Sequence, residues 1–225
     1  MSAKAVREYH GKRLLARHIS ALSPSHAIES RSALVTGSTD IDALPTDEPW
    51  LLSTALVVKP DQLIKRRGKA GLVGINLSYD EVKEWIEQRM NREITIEGTV
   101  TGKLDTFIVE PFIPHDESDE HYVCIQSSRD GDVMLFCKDG GVDVGNVDAK
   151  ANKLEVMIDQ DSAKDAILAG NLLNGVPVER KEKLCGFLAV LFQVYRKLHF
   201  VSISPLAVLS FHVRCTHMLL CSHYN

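Results

Sequence analysis

The apolar positions of this chain change period several times, and each change predicts an element. Over residues 5–20, Leu14, Leu15 and Ile19 recur at helical spacing, which predicts a short amphipathic helix. Residues 21–48 are rich in Ser, Thr, Asp and Pro and read as a loop holding one short strand at Ala33-Leu34-Val35. Residues 52–58 read as a strand. Ser78 followed by Glu81 makes a capping box, and Val82, Trp85, Ile86 and Met90 give the helix after it one apolar face ending near Asn91. Residues 94–100 alternate as a strand and 106–112 form another, entering a polar loop over 113–120. Residues 121–127 and 132–137 flank Arg129-Asp130-Gly131, a hairpin signal. A strand at 154–158 and a long helix at 179–198 follow, the helix carrying Leu184, Phe187, Leu188, Leu191, Phe192 and Tyr195 as a core stripe. There is no internal repeat. Such a succession predicts an α/β or α+β domain with mixed sheets.

Composition narrows the function classes. The 225 residues are 44% hydrophobic, enough for a sizeable core in one or two domains of about 150 residues each. A net charge of −4 carries no nucleic-acid character, so any phosphate affinity must be local. The first residues lack the apolar stretch of a secretory signal. The five scattered cysteines (Cys124, Cys137, Cys185, Cys215 and Cys221) then read as reduced thiols of a cytoplasmic protein, none with an activating neighbour. No catalytic nucleophile is assigned.

One local concentration of charge stands out. From Lys59 to Gly74 the chain places Lys59, Lys65, Arg66, Arg67 and Lys69 among Gly68, Gly71 and Gly74, just after the β-branched Val57-Val58. Glycines let backbone N–H groups approach a ligand, and the cations can meet phosphate oxygens. Pattern alone weighs a phosphate loop equally against a solvated basic turn. Neither G-x-x-x-x-G-K-[ST] nor G-x-G-x-x-G is present. A second block, Glu110-Pro111-Phe112-Ile113-Pro114-His115, opens onto the acids Asp116, Glu117, Asp119 and Glu120, which by themselves read as a solvated acidic loop. A third runs from Gly140-Gly141-Val142-Asp143 to Ala151; its acids miss the EF-hand spacing and lack a closing bidentate Glu, so a turn is expected rather than a calcium site.

These blocks, in this order, closely resemble the N-terminal ATP-grasp region of ATP-citrate synthase (ATP-citrate lyase), of the succinyl-CoA synthetase type. The resemblance covers residues 1 to about 200 and is weakest over 21–48. It implies an ATP-grasp domain over 1–200, with a first subdomain at about 20–112, an incomplete second at 113–200, and the nucleotide between their sheets. It implies that Lys59, Arg67 and Gly68 contact the ATP phosphates, that Pro111 and Ile113 hold the base edge through the backbone, and that Glu120 accepts from the ribose hydroxyls. The family forms acetyl-CoA and oxaloacetate from citrate, CoA and ATP for lipid synthesis, as a homo-oligomer. The alternatives are a nucleotide-binding or interaction fragment without catalysis, and the beta subunit of a related acyl-CoA ligase. The Lys-Arg-Arg-Gly-Lys and Glu-Pro-Phe-Ile-Pro-His blocks favour the citrate enzyme.

The resemblance breaks after Phe200, where residues 201–225 read as a tail foreign to the family. The family's Mg²⁺ is held there by carboxylate and amide oxygens, but 201–225 contains no Asp or Glu, so the metal ligands are expected to be missing, as are the citrate and CoA modules and the phosphorylated histidine. The chain is therefore expected not to turn over alone. Val201-Ser202 is what read-through of a splice donor encodes, an expectation that the tail is translated intron. Pro205, His212, Arg214 and His217 argue against a membrane-spanning segment. Cys215-Thr216-His217 and Cys221-Ser222-His223 are too tightly spaced for ordinary zinc geometry. The tail is expected to be unstructured.

Overall fold

The computed structural model describes residues 5–62, 64, 67–68, 70–96, 100–140, 149–160, 162–209 and 215–218, with the backbone alone at 96, 100, 117, 204–209 and 215–218. The chain divides into two compact units, Arg31–Pro114 and a second made of Met1–Ser30 with His115–Asn225.

The chain enters the second unit first, through helix α1 (Glu8–Leu22), which buries Leu15, Ala16 and Ile19 on one stripe. It then builds the first unit: β1 (Ala33–Thr36), a short helix α2 (Leu44–Asp47), β2 (Leu56–Pro60), β3 (Gly74–Leu77), α3 (Tyr79–Glu87), β4 (Glu93–Ile96), β5 (Val100–Lys103) and β6 (Thr106–Pro111). Four of these strands form an antiparallel sheet in the order β1-β6-β2-β3. Central β6 is buried at nearly every position, as a strand flanked on both sides must be. Helix α3 starts where the capping box places it, the Ser78 hydroxyl accepting from Glu81 N–H and the Glu81 carboxylate accepting from Ser78 N–H. Val82, Ile86 and Trp85 close the core, Trp85 edge-on to Phe107 at 5.8 Å.

Three sequence expectations shift in this unit. The strand expected at 52–58 begins only at Leu56, because Pro49–Leu52 forms a 3₁₀ turn. The 94–100 run is not one strand: Glu93–Ile96 and Val100–Lys103 pair antiparallel as a separate ribbon. Residues 97–99 between them lie outside the described residues, and the alternation on the two sides belongs to two strands. Helix α3 stops at Glu87, and Asn91 adopts φ +62°, a left-handed conformation that Asn tolerates.

The second unit continues with β7 (Glu120–Ser127), β8 (Gly131–Cys137), β9 (Asn152–Met157), α4 (Lys164–Ala169), α5 (Val178–Lys197), β10 (Ser202–Leu209) and β11 (Cys215–Met218). Its sheet runs β11-β10-β7-β8-β9. Val123, Ile125, Met134 and Phe136 project into a core completed by Leu15 and Ile19 of α1 and by the whole expected stripe of α5. The glycine-rich segment 141–148 lies outside the described residues.

The expectation of an unstructured tail fails for Ser202–Leu209 and Cys215–Met218. The apolar run pairs with the edge of β7 and covers backbone groups that would otherwise stay unpaired, with Ile203 fully buried. Its register breaks between Ile203 and Leu206, where Pro205 has no N–H to give the ladder. Among the described residues no helix is long and apolar enough to cross a membrane. Cys124, Cys137 and Cys185 are buried thiols; Cys221 and His223 lie outside the described residues.

Candidate nucleotide-phosphate site

Pairing of β2 with β6 sorts their side chains onto two faces. Leu56 and Val58 share one face with Phe107 and Val109 and belong to the apolar core. The register sets Val57 beside Glu110 and Lys59 beside Ile108, so Lys59 and Glu110 stand together on the opposite face. There the Lys59 ammonium lies 3.0 Å from a Glu110 carboxylate oxygen, with Lys59 1% exposed and the Glu110 side chain 13% exposed. A buried ammonium is tolerated only where a partner offsets its desolvation, and Glu110 supplies that charge.

The chain after Lys59 is tied down at its base. Asp61 N–H donates to Thr106 O at 2.8 Å, extending the ladder by one residue beyond β2. The Gln62 amide donates to Lys103 O at 2.8 Å and accepts from Asp105 N–H at 3.0 Å. Arg67 turns inward: it is 7% exposed, and its Nη1 donates to Pro60 O at 2.6 Å. Leu72 N–H closes back on Arg67 O at 2.9 Å, and Gly71 N–H on Gly68 O at 3.1 Å. Gly71 holds φ +67°, which favours glycine; Gly68 is exposed at the turn, with no side chain between its backbone and an incoming group. Leu63, Lys65, Arg66 and Lys69 lie outside the described residues.

Pro111 ends β6 opposite Leu56, buried, and Phe112 N–H donates to Ala55 O at 2.7 Å, which carries the strand direction on to half-buried Ile113. Lys59, Arg67, Gly68, Pro111 and Ile113 thus all belong to the unit Arg31–Pro114, whereas Glu120 begins β7 in the other. Glu120 is fixed there by His115, whose Nε2 lies 2.6 Å from its Oε1. Gly140 N–H donates to Glu120 O at 2.8 Å. A Cβ on Gly140 would come within 2.8 Å of the Glu120 carbonyl carbon, so only glycine fits this approach. Asp119, read from sequence as a solvated acid, is bonded to Arg180 at 2.9 Å.

Glu110 and Gln62 are the site residues that the sequence reading left without a role. A lone carboxylate inside the apolar run Thr106-Phe107-Ile108-Val109 was the available signal, because a charge in a buried strand needs a partner. Among the described residues no three His, Cys, Asp or Glu side chains converge as a metal site would require.

The model of the ATP-citrate synthase ATP-grasp domain family matches residues 2–219, reaching past Phe200 into the tail. The chain is 50% identical over 212 residues to ATP-citrate synthase of Bos taurus, covering 92% of this chain and 19% of that protein. It is 40% identical over 239 residues to the probable ATP-citrate synthase subunit 2 of Schizosaccharomyces pombe, covering 93% of this chain and 48% of that one. Among solved structures it is similar to ATP citrate lyase from Methanothrix soehngenii in complex with citrate and coenzyme A, at a TM-score of 0.84 and 34% identity over 97% of this chain and 50% of that one. The chain therefore spans from about a fifth to half of the length of these relatives.

Proposed function

Because the chain belongs to the ATP-citrate synthase ATP-grasp family, we propose that it is the ATP-binding part of such an enzyme, with Lys59 as its principal phosphate contact. The observation that carries this reading is the Lys59–Glu110 pair: a buried ammonium, held by a carboxylate on the sheet face turned away from the core, at the mouth of a glycine turn. A fixed ammonium meets a phosphate as a point charge and loses little side-chain freedom on binding, because the pair already orders it. Arg67 positions the turn through Pro60 O, and Gly68 lets backbone N–H groups come close to the phosphates. Pro111 can offer a nucleobase only its carbonyl oxygen, while Ile113 has both a backbone donor and an acceptor, a combination that suits an aminopurine edge. Glu120, ordered by His115, is the ribose acceptor of this reading.

In the family reaction, ATP drives formation of acetyl-CoA and oxaloacetate from citrate and CoA, feeding lipid synthesis in the cytoplasm. This chain would supply the nucleotide step, and the citrate and CoA chemistry would belong to the remaining length of the relatives. Magnesium, which the resemblance implies, finds no converging set of ligands among the described residues, and the reading rests on the chain's own cations. A beta subunit of an acyl-CoA ligase shares the fold, but the 50% identity to a citrate enzyme favours the first reading.

Calorimetric titration of Mg·ATP into the purified chain, beside Lys59→Ala, tests the proposal. Saturable heat in the parent that vanishes in the variant is the expected result. Equal, negligible heats in both would remove it.

A further inference from the structure

The outer side of α1 carries a feature unrelated to the Lys59 loop. His10, Arg13, Arg17 and Ser20 follow one another at intervals of three, four and three residues, so they share a helix face with neighbours one turn apart. They line a cavity of about 660 Å³ together with Ser30, over a floor that includes Leu14. From His10 to Arg17 the row runs about 10 Å along the axis, at 1.5 Å per residue. The volume lies in the range of small-molecule sites, about 300–1,000 Å³.

The charge of this face is not compensated locally. Arg13 stacks over the Tyr9 ring at 5.3 Å and donates to its hydroxyl at 3.1 Å. Arg17 donates to the His18 ring at 3.3 Å. Both partners are neutral acceptors, and neither guanidinium meets a carboxylate among the described residues. Glu8, the acid in the first turn of α1, is committed elsewhere, to buried Lys12 at 2.9 Å. Burial, with Arg17 and Lys197 adding to it, holds the His18 pKa below its ordinary value. Two exposed guanidinium forks, an imidazole and two hydroxyls, with no acid among the described lining residues, form a donor-rich set that carries positive and no negative charge.

We propose that this cavity binds a small polyanion bearing two or more phosphate groups, the two guanidinium groups each taking one phosphate and the serine hydroxyls donating to the remaining oxygens. The donors extend from His10 to Ser20, about 15 Å along the axis at 1.5 Å per residue, farther than a single phosphate reaches, which favours a linear chain of phosphates over a single anion. The residues lining this cavity are distinct from the proposed phosphate contacts Lys59, Arg67 and Gly68, which belong to the unit Arg31–Pro114.

The test uses inorganic tripolyphosphate, with orthophosphate and citrate as comparison arms, titrated calorimetrically into the full chain carrying Lys59→Ala, which removes the principal phosphate contact proposed for the other site. The expected result is saturable binding of tripolyphosphate, at least tenfold tighter than either comparison anion, weakened at least tenfold by Arg13→Gln with Arg17→Gln. Both arginines are exposed, and unchanged circular dichroism will show that the double variant folds. Tripolyphosphate should also shield Arg13 and Arg17 from phenylglyoxal, read by mass spectrometry. Absence of binding, equal binding by the double variant, or tighter binding of citrate overturns the proposal. Loss of ATP binding in Lys59→Ala leaves it standing, so the two readings fail separately.

Discussion

The Lys59 ammonium and the Glu110 carboxylate, 3.0 Å apart, occupy the one face of the β2–β6 pair that is turned away from the apolar core. Glu110→Gln keeps the shape of the side chain but removes the counter-charge of a buried ammonium. The expected cost is about 2 kcal/mol of stability, below the span for breaking fully buried pairs because Glu110 keeps some solvent access. Combining it with Lys59→Met in a double-mutant cycle should show a coupling of about 1–3 kcal/mol. Urea midpoints of the four proteins measure it; a coupling below about 0.3 kcal/mol would make the pair an accident of geometry.

Gly131 read from sequence as a turn glycine, yet it is the first residue of β8, in register with Met157 of β9. A Cβ at this position would lie 2.3 Å from the Val156 carbonyl oxygen and 3.0 Å from Met157 Cα, both backbone atoms that cannot swing away. Gly131→Ala should therefore separate β8 from β9 at this end and destabilise the chain by about 2 kcal/mol. At this chain length that corresponds to a fall of roughly 4–8 °C in Tm. A melting temperature equal to the parent's would show that the strands do not approach so closely.

Arg196 of α5 binds three separate acceptors of the sheet side. Its Nε donates to Asp132 Oδ2 at 2.8 Å, Nη2 to Met157 O at 2.9 Å, and Nη1 to Gln160 O, while the guanidinium lies 4.6 Å over the Phe192 ring. An ammonium can reach one or two of these but not the planar set. Arg196→Lys, conservative in charge, is expected to cost about 1–3 kcal/mol. Amide exchange of β9 measures the effect locally, and Met157 and its neighbours should lose protection first. Unaltered exchange there would mean that charge alone, not the fork, holds the contact.

What sequence could and could not reveal follows from the range of each interaction. The capping box of α3 and the stripe of α5 are local patterns, and both appear where the spacing puts them. The start of β2, the split of the 94–100 run and the pairing of 202–209 depend on which strand edge a segment finds. No local periodicity encodes that. In the site, the residues named from sequence were those of linear motifs: Lys59, Arg67 and Gly68 in one, Pro111 and Ile113 in the next. Glu110 acquires its meaning only through the antiparallel register that sets it diagonally across from Lys59, with fifty residues of chain between them. The contact of Arg67 with Pro60 O, by which the loop meets its own stem, is likewise invisible to a linear motif.

His121 provides the pH dependence. It is 3% exposed at the start of β7, its ring 5.5 Å from that of Phe136 and its Nδ1 bonded to Lys138 O at 2.7 Å, while its buried Nε2 has no hydrogen-bond partner among the described residues. Burial pushes its pKa below the ordinary value. Arg180 adds to the shift, and the Lys138 carbonyl, Asp119 and Asp139 oppose it. The folded chain therefore binds its proton less readily than the unfolded chain, whose histidine titrates near 6.5. Stability is unaffected by this group above that pH and is lost as pH falls below it toward the folded-state pKa. His121→Gln keeps an amide donor for Lys138 O and removes the titration. Urea midpoints of parent and variant between pH 7.5 and 5 should diverge as pH falls, the parent losing up to about 1.4 kcal/mol more for each pH unit that separates the two pKa values. Parallel curves would assign the acid sensitivity to other groups.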